Sequence, residues 1–163
     1  MNPSSRAATA MQSSRSEHAP THQPPRRGVV AVAVRDERLL VIRRSRTVEA
    51  PRMHCFPGGA IQQGETEPQA LQRELVEELA LAVDPLRRLW RSVAPWNVEL
   101  AWWQVRLDDP GAMRPNPAEV EAAVWLSVPE MLELPSLLES NRQFLAAWGK
   151  GEFVLEGLSP RNR

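Results

Sequence analysis

The chain has 163 residues, enough for one domain with a sizeable core, and its 20 basic and 20 acidic side chains cancel to a formal net charge of zero. That balance excludes a nucleic-acid binder held by bulk positive charge, and no apolar run approaches the roughly 18 residues of a bilayer span. The single cysteine, Cys55, excludes an internal disulfide framework and fits a reducing compartment, so a cytoplasmic location is expected.

Residues 1–27 contain no Val, Ile, Leu, Phe or Trp and are rich in Ser, Pro and Ala. Such a segment cannot bury enough apolar surface to offset its ordering entropy, so a disordered tail is expected there and a domain over residues 28–163. GVVAVAV from Gly28 and LLVIRR from Leu39 are β-rich runs joined by the polar Arg35-Asp36-Glu37, the pattern of a hairpin. MHCFPGG reads as a brief strand stopped by Pro57 and two glycines. Residues 66–79 read as a helix, because Ala70, Leu71, Leu75 and Leu79 recur at three- and four-residue steps, with Thr66 as a cap and Pro68 in the first turn. Residues 86–107, rich in Trp and Val, read as two strands turning at Pro95-Trp96-Asn97. Three prolines and a glycine make residues 108–117 a loop. AAVWLSV from Ala122 is a further strand, VPEMLEL begins a short helix at its proline, and residues 140–149 form a last helix with Phe144, Leu145 and Trp148 on one face. Strands and helices intermix without repeats, which predicts an α/β fold with a mixed sheet covered by helices.

The helix over residues 66–79 poses the functional question. Glu74, Glu77 and Glu78 stand at i, i+3 and i+4, so their carboxylates share a face while the leucines turn inward. Packed anions raise one another's pKa and strain the helix unless cations neutralise them. Arg73, four residues before Glu77, can hold one carboxylate; the others need a partner, and a hard divalent cation taking carboxylate and phosphate oxygens is the natural one. The glycine pair Gly58-Gly59 just upstream lets backbone approach a ligand closely and can point carbonyls or N–H groups at it.

Gly59, five residues, Glu65, seven residues, then Arg73-Glu74-Leu75-Val76-Glu77-Glu78-Leu79-Ala80-Leu81 resembles the Nudix box, G-x5-E-x7-R-E-U-x-E-E-x-G-U, where U is aliphatic. One position departs, with Ala80 in place of glycine. Glycine there would end the helix with a left-handed residue, and alanine in that conformation costs about 1 kcal/mol, so a longer helix or a shifted exit loop is expected. The resemblance implies a Nudix-type α/β/α sandwich and a hydrolase, dependent on Mg²⁺ or Mn²⁺, that cleaves a diphosphate linking a nucleoside to another moiety. It implies Glu74, Glu77 and Glu78 as metal ligands, joined by the carbonyl of Gly58 or Gly59. Arg73 would orient a ligand carboxylate, and Glu65 would support the turn into the helix.

Two features outside the box resemble the branch of that family that sanitises oxidised nucleoside triphosphates. Arg43 and Arg44 match a substrate-contacting arginine pair, Arg44 standing fifteen residues before Gly59. Glu119, six residues before Trp125, matches an outer metal ligand or general base, with Glu121 as the alternative. The first function expected is therefore a nucleoside triphosphate pyrophosphatase. Dinucleoside polyphosphates, nucleotide sugars and capped RNA are the next substrates, and a non-catalytic nucleotide sensor is the reading from a different class. A small nucleotide-type partner is expected, with no membrane and no DNA, the oligomeric state being open.

Other constellations carry less. His18, His22 and His54 are the only histidines, the first two in the tail, which argues against a zinc site. His54 and Cys55, as strand neighbours, point to opposite faces. The tryptophans read as sheet and core packing, with Trp96 in its turn as the candidate for stacking on a purine.

Overall fold

A computed structural model of the chain describes residues 24–160. The tail expected over residues 1–27 lies outside these except for its last four residues, of which Arg26 and Arg27 already belong to the first strand. In chain order come β1 (Arg26–Arg35), β2 (Arg38–Arg44), β3 (His54–Cys55), β4 (Gly58–Ala60), α1 (Glu67–Leu79), β5 (Val83–Ala94), β6 (Val98–Leu107), β7 (Val120–Leu126), α2 (Val128–Glu133) and α3 (Glu139–Gly149). The seven strands form one mixed sheet in the order β3-β2-β1-β6-β5, with β4 also paired to β1 and β7 to β2. β1 runs parallel to β6 and antiparallel to β2 and β4.

Strand alternation divides the core. Val29, Ala31, Leu40 and Ile42 point to the face covered by α1, where they meet Ala70, Leu71, Leu75 and Leu79. Val30, Val32, Leu39 and Val41 point to the other face and pack against Met131, Phe144, Leu145 and Trp148 of α2 and α3. The four α1 side chains are fully buried, each leucine contributing about 2 kcal/mol of apolar burial. Trp90, Trp102, Phe144 and Phe153 form an aromatic cluster on the second face, so most of the Trp-rich stretch is packing. The result is the expected sandwich, a mixed sheet between helices.

Several boundaries differ from the sequence reading. The brief strand ends before Pro57, as β3, and the two glycines expected only to stop it open a further short strand, β4. β7 begins at Val120 rather than Ala122, which brings Glu121 into the strand. α2 starts one residue before its proline, where Ser127 and Glu130 form a reciprocal cap. Ala80 neither extends α1 nor displaces its exit: it takes the left-handed conformation itself, at φ 55°, with its N–H bonded to the Leu75 and Val76 carbonyls. No helix among the described residues is long and apolar enough to cross a membrane.

Candidate metal and nucleotide site

The start of α1 is set by a capping box, in which Thr66 Oγ1 accepts from the Gln69 N–H while the Gln69 side chain accepts from the Thr66 N–H. From that start, Glu74 and Glu78 fall one turn apart on the helix edge facing β4. Both are buried, at 8% and 5% exposure. Gly58 donates its N–H to Glu78 Oε2 at 3.0 Å. A β-carbon on Gly59 would overlap the Glu74 carboxylate, and one on Gly58 would overlap the Val29 carbonyl, so only glycine lets β4 lie this close to the acids.

Glu119 comes from a distant part of the sequence, just before β7. The loop after β6 is stapled to the end of α1, the Arg114 and Asn116 N–H groups donating to the Leu79 and Glu78 carbonyls at 2.8 Å each. These bonds satisfy two orphan helix carbonyls and deliver Glu119 to the helix. Carboxylate oxygens of Glu74, Glu78 and Glu119 lie within 4.8 Å of one another.

The electrostatics show what this group lacks. Burial pushes Glu78 up to about 8, and the charges of Glu74 and Glu119 add to the rise. Burial also raises Glu74, against the hydrogen bond and charge of Arg73. Among the described residues Arg73 is the one cation bonded directly to a member of the group, and it is shared: it binds Glu65 at 2.6 Å, Glu74 at 2.8 Å, Glu77 at 3.2 Å and the Ala60 carbonyl at 2.8 Å. Those bonds hold Glu65 down to about 2, led by the Arg73 hydrogen bond, and fix the β4–α1 turn as expected for this residue. Three converging carboxylates, two of them buried and short of positive charge, fit a divalent cation.

Glu77 is not drawn into the group. Its side chain is 47% exposed and tied to Arg73. Glu121 sits among arginines instead. Arg44 lines a cleft of about 260 Å³ together with Gly58, Gly59, Leu100, Phe56 and Asn141. Its Nε donates to the Glu49 carbonyl at 2.6 Å, and it lies near enough to Glu78 to oppose the rise of that carboxyl. Arg43 points away toward Glu121 and His54. Trp96 is 86% exposed at the tip of the β5–β6 hairpin, two residues before Val98, which does line the cleft. Cys55 is inert packing, its thiol pushed up to about 11 by burial.

Asn141 escaped the sequence reading. It is buried at the start of α3, accepts the Phe56 N–H at 2.8 Å, and borders the cleft. A polar residue at i on the face carrying Phe144, Leu145 and Trp148 was the available signal. Glu67 was missed too, because its meaning lies in distant arginines.

Comparison with known proteins bears on the family and the fold. The model of the NUDIX domain family matches residues 24–148. An m7GpppN-mRNA hydrolase from Danio rerio is 30% identical over 143 residues, covering 72% of this chain and 48% of that protein. The chain thus spans about half the length of that relative. A CTP pyrophosphohydrolase from Escherichia coli (strain K12) is 31% identical over 110 residues, 66% of this chain and 79% of that one. Among solved structures, a MutT NUDIX hydrolase from Burkholderia pseudomallei superposes with a TM-score of 0.60 at 28% identity, over 76% of this chain and 98% of that one.

Proposed function

Since the chain belongs to the NUDIX domain family, we propose that it is a hydrolase of nucleotide-linked diphosphates, acting first on nucleoside triphosphates. The observation that carries this reading is the convergence of Glu74, Glu78 and Glu119 beside the Gly58–Gly59 strand. Residues far apart in sequence meet there with surplus negative charge, next to a cleft of nucleoside dimensions.

Glu74, Glu78 and Glu119 would hold the cation, Mg²⁺ or Mn²⁺, with Glu77 and a carbonyl of Gly58 or Gly59 as further oxygen donors. Such an ion, when bound, neutralises phosphate oxygens and lowers the pKa of an attached water. The chain's own groups do the rest. Arg73 keeps the Glu74 carboxylate oriented through its Nη1 and anchors the turn through Glu65. Arg44, with its Nε committed to the Glu49 carbonyl, turns its terminal nitrogens to the phosphates. The Gly58 N–H fixes one oxygen of Glu78. Glu119 is the least buried of the three acids, so it both reaches the cluster and meets solvent, and its carboxylate takes the proton of the attacking water. Phosphoryl transfer asks the protein mainly for positioning and electrostatics, which rigid carboxylates on a helix supply. Trp96 stacks on the base from the rim of the cleft.

The test is a panel of nucleoside triphosphates, dinucleoside polyphosphates, nucleotide sugars and capped RNA, incubated with Mg²⁺ or with EDTA, with products resolved by mass. Release of pyrophosphate from a triphosphate only with Mg²⁺ supports the reading. Preference for capped RNA shifts the substrate while keeping the chemistry. Nucleotide binding with no cleavage of any member points to a sensor instead.

A further inference from the structure

β7 meets β2 through a register shift: Arg43 pairs with Ala122 but Arg44 pairs with Val120, leaving Glu121 as the extra residue of a bulge. On a regular strand, side chains two residues apart share a face, so Glu119 would follow Glu121. The bulge breaks that relation. Glu121 turns to Arg43, at 3.5 Å, while Glu119 joins Glu74 and Glu78. A ladder closed without the extra residue would move Glu119 by one position and turn it off the cluster.

Among the described residues the Glu119 carboxylate makes no hydrogen bond or ion pair of its own, so its direction is set by its backbone. Both peptide groups flanking Glu119 are bonded at both ends. In the first, the Glu119 N–H donates to the Asn116 carbonyl at 2.9 Å. The Ala118 carbonyl of the same group accepts the Ser45 hydroxyl at 2.8 Å and the Thr47 hydroxyl at 3.1 Å. In the second, the Val120 N–H donates to the Asn116 carbonyl at 2.7 Å, and the Glu119 carbonyl accepts the Ser45 N–H at 2.9 Å. Holding two successive peptide planes fixes the dihedrals of the residue between them, and with those the direction of its side chain.

The two sides of this clamp differ. Asn116 holds the segment mainly through its own backbone, which any residue could supply, whereas Ser45 and Thr47 hold it through side chains. Ser45 is buried, at 3% exposure, and its hydroxyl accepts the Thr47 N–H at 3.4 Å while donating to Ala118. A buried hydroxyl costs free energy unless it is bonded, so an apolar residue would serve better if packing were its task. With two hydroxyls on one carbonyl, both lone pairs of the Ala118 oxygen are taken. The loop that carries them begins directly after Arg44 and holds its Nε at the Glu49 carbonyl, so one segment steadies both the cleft arginine and the acid.

We propose that Ser45 and Thr47 are positioning residues for Glu119. Their hydroxyls, meeting on the Ala118 carbonyl, hold the bulged register and with it the Glu119 carboxylate at the cluster. This rests on the hydrolase reading above, in which Glu119 binds the cation and takes the proton of the attacking water. Neither residue touches substrate. Each acts through the peptide group that precedes Glu119.

Ser45→Ala keeps the backbone bond to Glu119 and removes only the hydroxyl, so kcat should fall about tenfold with KM changed less than about twofold. Thr47→Ala, at an exposed position, should lower kcat about threefold, and Thr47→Ser should restore it. In a Glu119→Gln background, Ser45→Ala should change kcat by less than about twofold, since no base is left to position. Hydrogen exchange over residues 116–121, read by mass spectrometry, should be about tenfold faster in Ser45→Ala while α1 is unchanged. Unchanged exchange there, faster exchange with unchanged kcat, or losses that multiply in full in the double variant overturn the proposal. Should Ser45→Ala fail to fold, Thr47→Ala in the same background decides it. Mn²⁺ titration separates this inference from the reading beneath it. If the wild-type chain cleaves no nucleotide, the hydrolase reading fails. Several-fold weaker Mn²⁺ binding in Ser45→Ala, absent in the Glu119→Gln background, then still supports the positioning role, and equal binding overturns it.

Discussion

Helix α1 carries buried glutamates at both ends, and the protein treats the two ends in opposite ways. At the first turn, Glu67 accepts from Trp103 Nε1 at 2.8 Å, Arg91 at 2.6 Å, and Arg27 and Arg88 at 3.3 Å each. Burial alone would raise its pKa, but the indole hydrogen bond and the two β5 arginines outweigh that and hold it below the ordinary range. At the far end, Glu74 and Glu78 face Glu119, and burial drives both pKa values up. A carboxylate that only has to hold a helix in place is surrounded by the chain's own cations and donors. On the proposed reading, the group at the far end is left with its charge uncancelled because internal cations would compete with a metal.

That contrast can be broken from either end. The largest effect should follow Glu78→Gln, which removes a ligand charge and no packing. Hydrolysis should fall by about a thousandfold while circular dichroism and thermal unfolding stay those of a folded protein. Wild-type turnover in the purified variant would remove the metal-site reading. Glu67→Ala should do the reverse. It leaves three arginines and an indole without their acceptor and should cost about 3 kcal/mol in denaturant unfolding, with Mg²⁺ still bound by the folded fraction.

The pH dependence sharpens the comparison. Glu78 titrates near 8 in the folded chain and near 4.5 when unfolded, so between those values the folded state binds the extra proton. Metal-free stability should therefore fall as pH rises from about 4.5 to 8, by a few kcal/mol in all, and that slope should shrink in Glu78→Gln to the part that Glu74 contributes. Added Mg²⁺ should restore stability most at the alkaline end, where the carboxylates are ionised. Thermal melts across pH, with and without the ion, read both. The smallest effect belongs to Ala80→Gly. Relieving the left-handed alanine should stabilise the protein by about 1 kcal/mol, raising Tm by about 3 °C without altering turnover.

Local chemistry made much of the molecule readable from residues alone. The three- and four-residue leucine period, with Thr66 as cap, marks α1 because side-chain direction in a helix follows from spacing. The β-branched runs mark β1 and β2 for the same reason at period two. Pro57, a residue without an N–H, marks the end of β3, whereas the pairing of Gly58 and Gly59 with β1 was not legible from composition. The Ala80 outcome was less accessible. Whether a residue accepts left-handed strain depends on what pulls on it, here the carbonyls of Leu75 and Val76 and a loop bound to the helix end.

The amino-acid sequence by itself determined that a helix would present Glu74, Glu77 and Glu78 after a glycine turn, since pitch and spacing alone place them. It could not divide them. Only the folded chain brought Glu119 to Glu74 and Glu78, left Glu77 to Arg73, and through one bulged residue sent Glu121 to Arg43, Arg46 and Arg52. Charge pairing between residues dozens of positions apart depends on strand register and loop path, and those are fixed by packing of the whole core rather than by any local pattern.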